Sequence, residues 1–278
     1  MPRPSRREFV FASASALSPA LLFAGNEAAH VDYHVHLSST LTLDAAIALS
    51  SERNVKFGIL EHAGKKENLY RNILTNDQEL EQWIAKLEGK PVYKGIQAEW
   101  LDWMTCFSKA AVARLDYVLS DAMTIPDANG QRVKMWERGF DPGDPQAFME
   151  RYVKWNVEVI ETEPLDIFAH PTWLPAPLDA NYDTLWTPER MKPIIAALKR
   201  TGTAVEIDSH FNIPGKAFLA MAKDAGLKFA FGSNSGSGPA RSMDFCIEAA
   251  REMKLSKKDM FVPAAGQRKP IMRRKPIS

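Results

Sequence analysis

Histidine is scarce in this chain, six in 278 residues, yet two stand one residue apart in Asp32-Tyr-His-Val-His-Leu37. On a strand, alternate residues point to the same face, so His34 and His36 aim one way. Two neutral imidazoles side by side suit a borderline divalent ion. Glu61-His62 closes a second apolar run, Glu99 ends a third, His170 follows a fifth and Glu206 lies near the end of a sixth. Carboxylates and imidazoles together make a metal site or a proton-transfer site. The metal-ligand candidates are His34, His36, Glu99, His62 and His170. His62, His170 and Glu61 are the candidates for catalytic proton transfer. Lys65 and Arg71, with Glu206 and Asn234, are the candidates for holding a substrate. Each residue alone also reads as ordinary structure: a satisfied core histidine, or a solvated charged turn.

These side chains need elements that bring them together. Apolar runs predict strands at 31–36, 55–62, 92–100, 115–120, 166–169, 204–208 and 228–232. Helical spacing places Leu80, Trp83, Ile84 and Leu87 on one face of 76–87, and Phe148, Tyr152, Trp155 and Val159 on one face of 145–160. Thr187 before Pro188 predicts an N-cap and a first helical position. Seven strands alternating with helices argue for a parallel sheet, either open or closed into a barrel. No glycine fingerprint for a dinucleotide follows the first strand. In a barrel the strand ends converge on one face, where residues distant in sequence meet. Thr124–Asp144 and Pro171–Thr187 read as long insertions on that face, serving as a lid or a substrate wall.

The rest of the chain sets bounds. With 45% hydrophobic residues it has the makings of one sizeable domain. Net charge is +1, and without Arg3, Arg6, Arg7, Glu8 and Glu27 the remainder is neutral, which gives no footprint for nucleic acid. Cys106 and Cys246 are far apart and read as two thiols. Residues 1–29 read as a signal peptide: Arg6-Arg7 precede Phe9 and a short apolar run interrupted by Pro19. The paired arginines give it twin-arginine character, so the translocase of that route is an expected partner and the periplasm or exterior the expected destination. No membrane-spanning segment is expected in the mature form. The domain is expected at 30–265, and 266–278 as a basic, poorly ordered tail.

The pieces Asp32–Leu37, Gly58–His62, Gly95–Glu99, Asp116–Ser120, Asp166–Pro171, Ala204–Asp208 and Phe231–Ser235 stand in the order of a known family. In them the chain resembles the polymerase and histidinol phosphatase family of metal-dependent phosphoesterases. The resemblance implies a distorted seven-stranded TIM-like β/α barrel and hydrolysis of phosphoesters with two or three metals. Four positions depart from the family's pattern. Met123 stands for a histidine after the fourth strand, Gln97 for a glutamate, and Asn234 and Gly236 for an aspartate and a histidine after the last strand. Thioether and amide are poor ligands for such ions. The expectation is one or two divalent ions, zinc, manganese or iron, in an exported hydrolase of a small-molecule phosphoester. Two alternatives stay open. One is a non-catalytic binding protein on the same barrel, with Trp100, Trp103, Trp136, Trp173 and Trp186 lining a groove. The other is a hydrolase of amides or lactones from the wider amidohydrolase superfamily.

Overall fold

Seven strands close into a parallel barrel in the computed structural model of the chain, which describes residues 30–236 and 240–273. The barrel strands are β1 (His30–His36), β2 (Val55–Ala63), β3 (Tyr93–Ala98), β4 (Tyr117–Ser120), β7 (Ile167–Phe168), β8 (Ala204–Asp208) and β9 (Phe229–Gly232). Two further strands, β5 (Thr124–Pro126) and β6 (Arg132–Lys134), form a separate antiparallel hairpin. The ladder follows chain order, so each parallel crossover is filled by a helix or a loop outside the barrel. All seven expected strands are present and the expected barrel closes. The expected signal segment 1–29 lies outside the described residues, as do the last five residues.

The end of the barrel opposite the histidines is filled by rings. Tyr33 and Tyr93 stack at 5.6 Å, and Tyr117 and Phe261 meet Tyr33 edge-on at 5.3 and 5.1 Å. Tyr117 donates to the Tyr33 carbonyl at 2.7 Å. Gly58 and Gly95 make room for this ring: a Cβ would stand 2.6 Å from Tyr117 at Gly58 and 2.3 Å at Gly95. These rings fill the interior at that end, and the histidines stand at the other mouth.

Helix Asp77–Leu87 buries Leu80, Trp83, Ile84 and Leu87, as the spacing requires, and Asn76 caps it by accepting from Glu79 N–H. Helix Pro145–Thr162 starts at Asp144, whose carboxylate accepts from Gln146 and Ala147 N–H. Helix Pro188–Thr201 starts after Thr187 as expected, but the Thr187 side chain caps nothing.

Three expectations change. The 124–144 insertion is not bare loop, since it carries the β5–β6 hairpin. The 171–187 segment packs down, with Trp173, Leu178, Tyr182 and Trp186 buried, so it is a wall rather than a free lid. The basic tail is ordered through Arg273: Pro270 and Ile271 are buried, and Lys269 Nζ donates to the Ala113 carbonyl at 2.7 Å and to that of Leu115. Burial of two apolar residues and the use of one lysine as a carbonyl cap hold it there. Both cysteines are free thiols, Cys246 buried and Cys106 half-buried. Among the described residues no helix is long and apolar enough to cross a membrane.

Candidate metal centre

The polar mouth is built where β1, β2, β3 and β8 end. β1 shifts register against β2 between Asp32 and Val35, and its end is tied to β9 by His36 N–H to the Ser235 carbonyl at 2.8 Å. The buried Asp32 carboxylate accepts from His34 N–H at 3.1 Å and Ser233 N–H at 3.0 Å. It therefore fixes the strand that carries both histidines.

Two groups at this mouth have the composition and spacing of metal ligands. The inner one is His34, His170, Glu206 and Asp208, all buried; the outer one is His36, Glu61 and His62, half-buried. Within each, one ligand atom per residue lies within 4.8 Å of the others. In the inner group His34 Nδ1 meets Glu206 Oε1 at 2.7 Å. His170 Nδ1 lies 3.5 Å from Glu206 Oε2 and 3.2 Å from Asp208 Oδ2. The last two atoms face each other without hydrogen-bond alignment, and both are buried without any hydrogen-bond partner. Ligands of a tetrahedral zinc lie roughly 3.3 Å apart, given bonds of about 2.0 Å. The inner group therefore fits a divalent ion by both donor chemistry and spacing. Backbone geometry supports the placement: His170 and Thr172 hold φ of 48° and 63°, a conformation that costs energy outside glycine and collects at functional sites.

Glycine is required around this group. A Cβ on Gly232 would stand 2.0 Å from Glu206 Oε1, and one on Gly236 would stand 2.7 Å from His36 Cβ. Position 236, where the family resemblance leads one to expect a histidine, is thus filled by the His36 side chain. Asn234 is half-buried with φ 46°, a conformation asparagine tolerates. Met123 is buried in the apolar core.

The other expected residues fall as follows. Glu99 belongs to neither group. Its Oε1 meets His62 Nδ1 at 2.7 Å, so one proton lies between them and His62 is left with Nε2. His62 is sandwiched by His36 at 4.5 Å and by Tyr70 at 3.9 Å. Glu61 Oε1 accepts from His62 N–H at 3.1 Å. Lys65 pairs with Asp102 at 2.9 Å, where Arg132 also binds at 2.7 Å, and Arg71 lies exposed. A cation beside the outer group is instead Lys134 of β6, 4.2 Å above the Tyr70 ring and 5.7 Å from Trp136, which is 40% exposed. Trp103, Trp173 and Trp186 are core residues. Sequence reasoning missed Asp208, Lys134 and Tyr70. The first had a signal: Asp208 follows Glu206 by two on one strand, the same alternation that pairs His34 with His36.

Electrostatics divides the mouth. Burial, reinforced by its histidine neighbours, drives His36 well below the usual imidazole range, and burial lowers His62 to about 4. Burial opposes charge on His170 too, but Asp208 and Glu206 outweigh it and raise His170 to about 9. Asp208 is lowered in turn, its burial outweighed by His170. Burial and the Asp121 charge push Glu99 well above the carboxylate range, and burial raises Glu61. Charge is thus favoured at the His170–Asp208 pair and disfavoured by burial at His36, Glu61 and His62.

No known family pattern matches the chain, and no curated protein matches it. Among solved structures, a histidinol phosphate phosphatase from Lactococcus lactis, in complex with zinc, L-histidinol and phosphate, aligns over 87% of this chain and 97% of its own, at 14% identity and a TM-score of 0.54. An HpcH/HpaI aldolase from Desulfitobacterium hafniense aligns over 80% of this chain and 92% of its own, at 12% identity and a TM-score of 0.35. The first of these is similar to this chain in overall fold, the closed β/α barrel.

Proposed function

We propose that this protein is a metal-dependent hydrolase of small phosphoesters, exported by the twin-arginine route. The observation that carries the reading is the buried pair His170 Nδ1 and Asp208 Oδ2, 3.2 Å apart and without hydrogen-bond partners, inside a cluster of two imidazoles and two carboxylates. A divalent ion bound by that cluster would supply Lewis-acid charge and lower the pKa of water. The fold likeness to a phosphatase holding zinc, histidinol and phosphate agrees with this reading, as does the family order of the sequence motifs. Zinc, manganese and iron all suit these ligands.

The chain's own residues then divide the work. Glu99 holds His62 by Nδ1, so its Nε2 is positioned for proton transfer. Because burial keeps His62 neutral, it would not serve as an imidazolium acid at neutral pH. Lys134 at the rim attracts the phosphoryl group, and Tyr70 and Trp136 form the wall beside it. Export rests on the paired arginines and short apolar run of residues 1–29.

A second reading, a binding protein, is favoured by one observation: Gln97 ties His34, His36 and Asp121 together by hydrogen bonds that use both imidazole Nε2 atoms without an ion. Elemental analysis of chelator-free protein, followed by zinc, manganese and iron reconstitution and a panel of phosphoesters, amides and lactones, separates the readings. Bound ion with phosphoester turnover supports the hydrolase. No ion under any loading defeats it, and turnover only of amides or lactones reassigns it. Export is tested by fractionating cells that carry the full chain against a variant with Arg6 and Arg7 replaced by lysine.

A further inference from the structure

Gln97 lies on β3 beside His62 of β2, and its side chain reaches between the two histidines of β1. Its Oε1 is 3.2 Å from His34 Nε2 and 2.9 Å from His36 Nε2. Its Nε2 donates to Asp121 Oδ2 at 2.9 Å. The carboxamide has only one workable orientation, since turned over it would press its oxygen against the Asp121 carboxylate. An amide oxygen only accepts, so both imidazole Nε2 atoms facing it carry hydrogen. A neutral imidazole has one N–H, and the lone pair of the His36 ring is thereby placed on Nδ1. The surroundings of the Nδ1 atoms agree. His36 Nδ1 is buried with no hydrogen-bond partner, and His34 Nδ1 lies 2.7 Å from Glu206 Oε1, a hydrogen-bond distance bridged by a proton that an ion would displace.

We infer that Gln97 is a positioning residue that divides the mouth into two single-ion sites. By holding hydrogen on both Nε2 atoms, it bars an ion from the space between the two rings. It leaves His34 Nδ1 to the inner site with His170, Glu206 and Asp208, and His36 Nδ1 to the outer site with Glu61 and His62. A carboxylate at position 97 would act in the opposite way. Each of its oxygens binds a cation, so it would draw two ions together rather than keep them apart. The outer site, with one carboxylate, is the weaker of the two, and the inner site with two carboxylates fills first. This inference rests on the reading that the mouth takes divalent ions, but its first test needs none.

That test is the tautomer of each ring in the metal-free full chain, read from two-bond proton–nitrogen couplings of histidine labelled with nitrogen-15. His34 and His36 should both carry a proton on Nε2; a bare Nε2 on either overturns the assignment. In Gln97→Met, which fills the space without an acceptor, the His36 proton should redistribute between its two nitrogens, and an unchanged spectrum overturns the role of Gln97. Manganese supplies the second test. Wild-type protein should give the paramagnetic resonance signal of isolated ions, the first bound at least about tenfold more tightly than the second. Gln97→Glu should give a spin-coupled pair. Coupling in wild type, or no difference between the two proteins, overturns the division into separate sites. If both Nε2 protons are present and manganese does not bind at all, the hydrolase reading and the ion sites fall while the tautomer assignment stands.

Discussion

Asp208 and His170 share a buried contact that makes sense only with positive charge between or upon them. In the ion-free protein that charge is the His170 proton, held up to about pH 9 by Asp208 and Glu206 against the opposing effect of burial. An ion must displace this proton. Below about pH 9 the site is therefore protonated and metal affinity falls with pH, by roughly tenfold per unit for one proton; above it the dependence flattens. Calorimetric titration with zinc in two buffers of different ionisation enthalpy measures the released proton, and a pH-independent affinity between 7 and 9 contradicts the assignment. Asp208→Asn keeps the shape but removes the charge. It should weaken zinc binding by at least about tenfold in a chelator competition. An unaltered affinity would place the ion elsewhere. Which carboxylate serves which histidine was not legible in the sequence. Glu99 and Glu206 both sit near strand ends, and only the positions of the strands around the barrel decide that Glu206 faces His34 while Glu99 faces His62.

At the scale of elements, the strands were readable because each is an apolar run, buried among its neighbours and bounded by polar residues. Helix Leu43–Arg53 was not, and its packing explains why: its only buried residue is Ala46, so it presents no apolar stripe. The hairpin was hidden for another reason. Its strands are three residues each, and the Asp127 turn between them, whose carboxylate accepts from Asn129 and Gln131 N–H at 2.8 Å, has the composition of any surface loop. Yet this hairpin delivers Lys134 to the mouth, and Arg132 anchors it by donating to Asn68 Oδ1 at 2.7 Å and to Asp102. Lys134→Ala should weaken the binding of inorganic phosphate to the zinc-loaded protein about three- to tenfold, with zinc affinity itself unchanged. Loss of zinc binding in this variant would show that the hairpin shapes the ion site rather than the substrate wall.

For the whole molecule, the count and order of strands predicted a parallel sheet, open or closed, and the family resemblance implied its closure into a barrel, whereas the fate of the chain's end was misjudged from its charge. Residues 266–273 carry basic side chains, but Ile271 is buried and Lys269 caps two backbone carbonyls. Ending the chain after Ala265 should therefore cost about 2 kcal/mol or more of stability, from the burial of Ile271 and the lost hydrogen bonds. A denaturant titration checks this, and a midpoint equal to that of the full chain would make the segment an ornament.

The seam of the barrel joins β1 to β9, where Asp32 pairs with Phe231, and Ser235 meets both His34 and His36. Those partners are some two hundred residues apart along the chain, so the ring closes only after nearly all of it has left the ribosome. The inner ligands straddle that distance as well, His34 near the start and Glu206 and Asp208 near the finish. A half-made chain thus holds no complete cage. An ion held by this cage would therefore be taken up only once the ring has closed, in whichever compartment that closure happens.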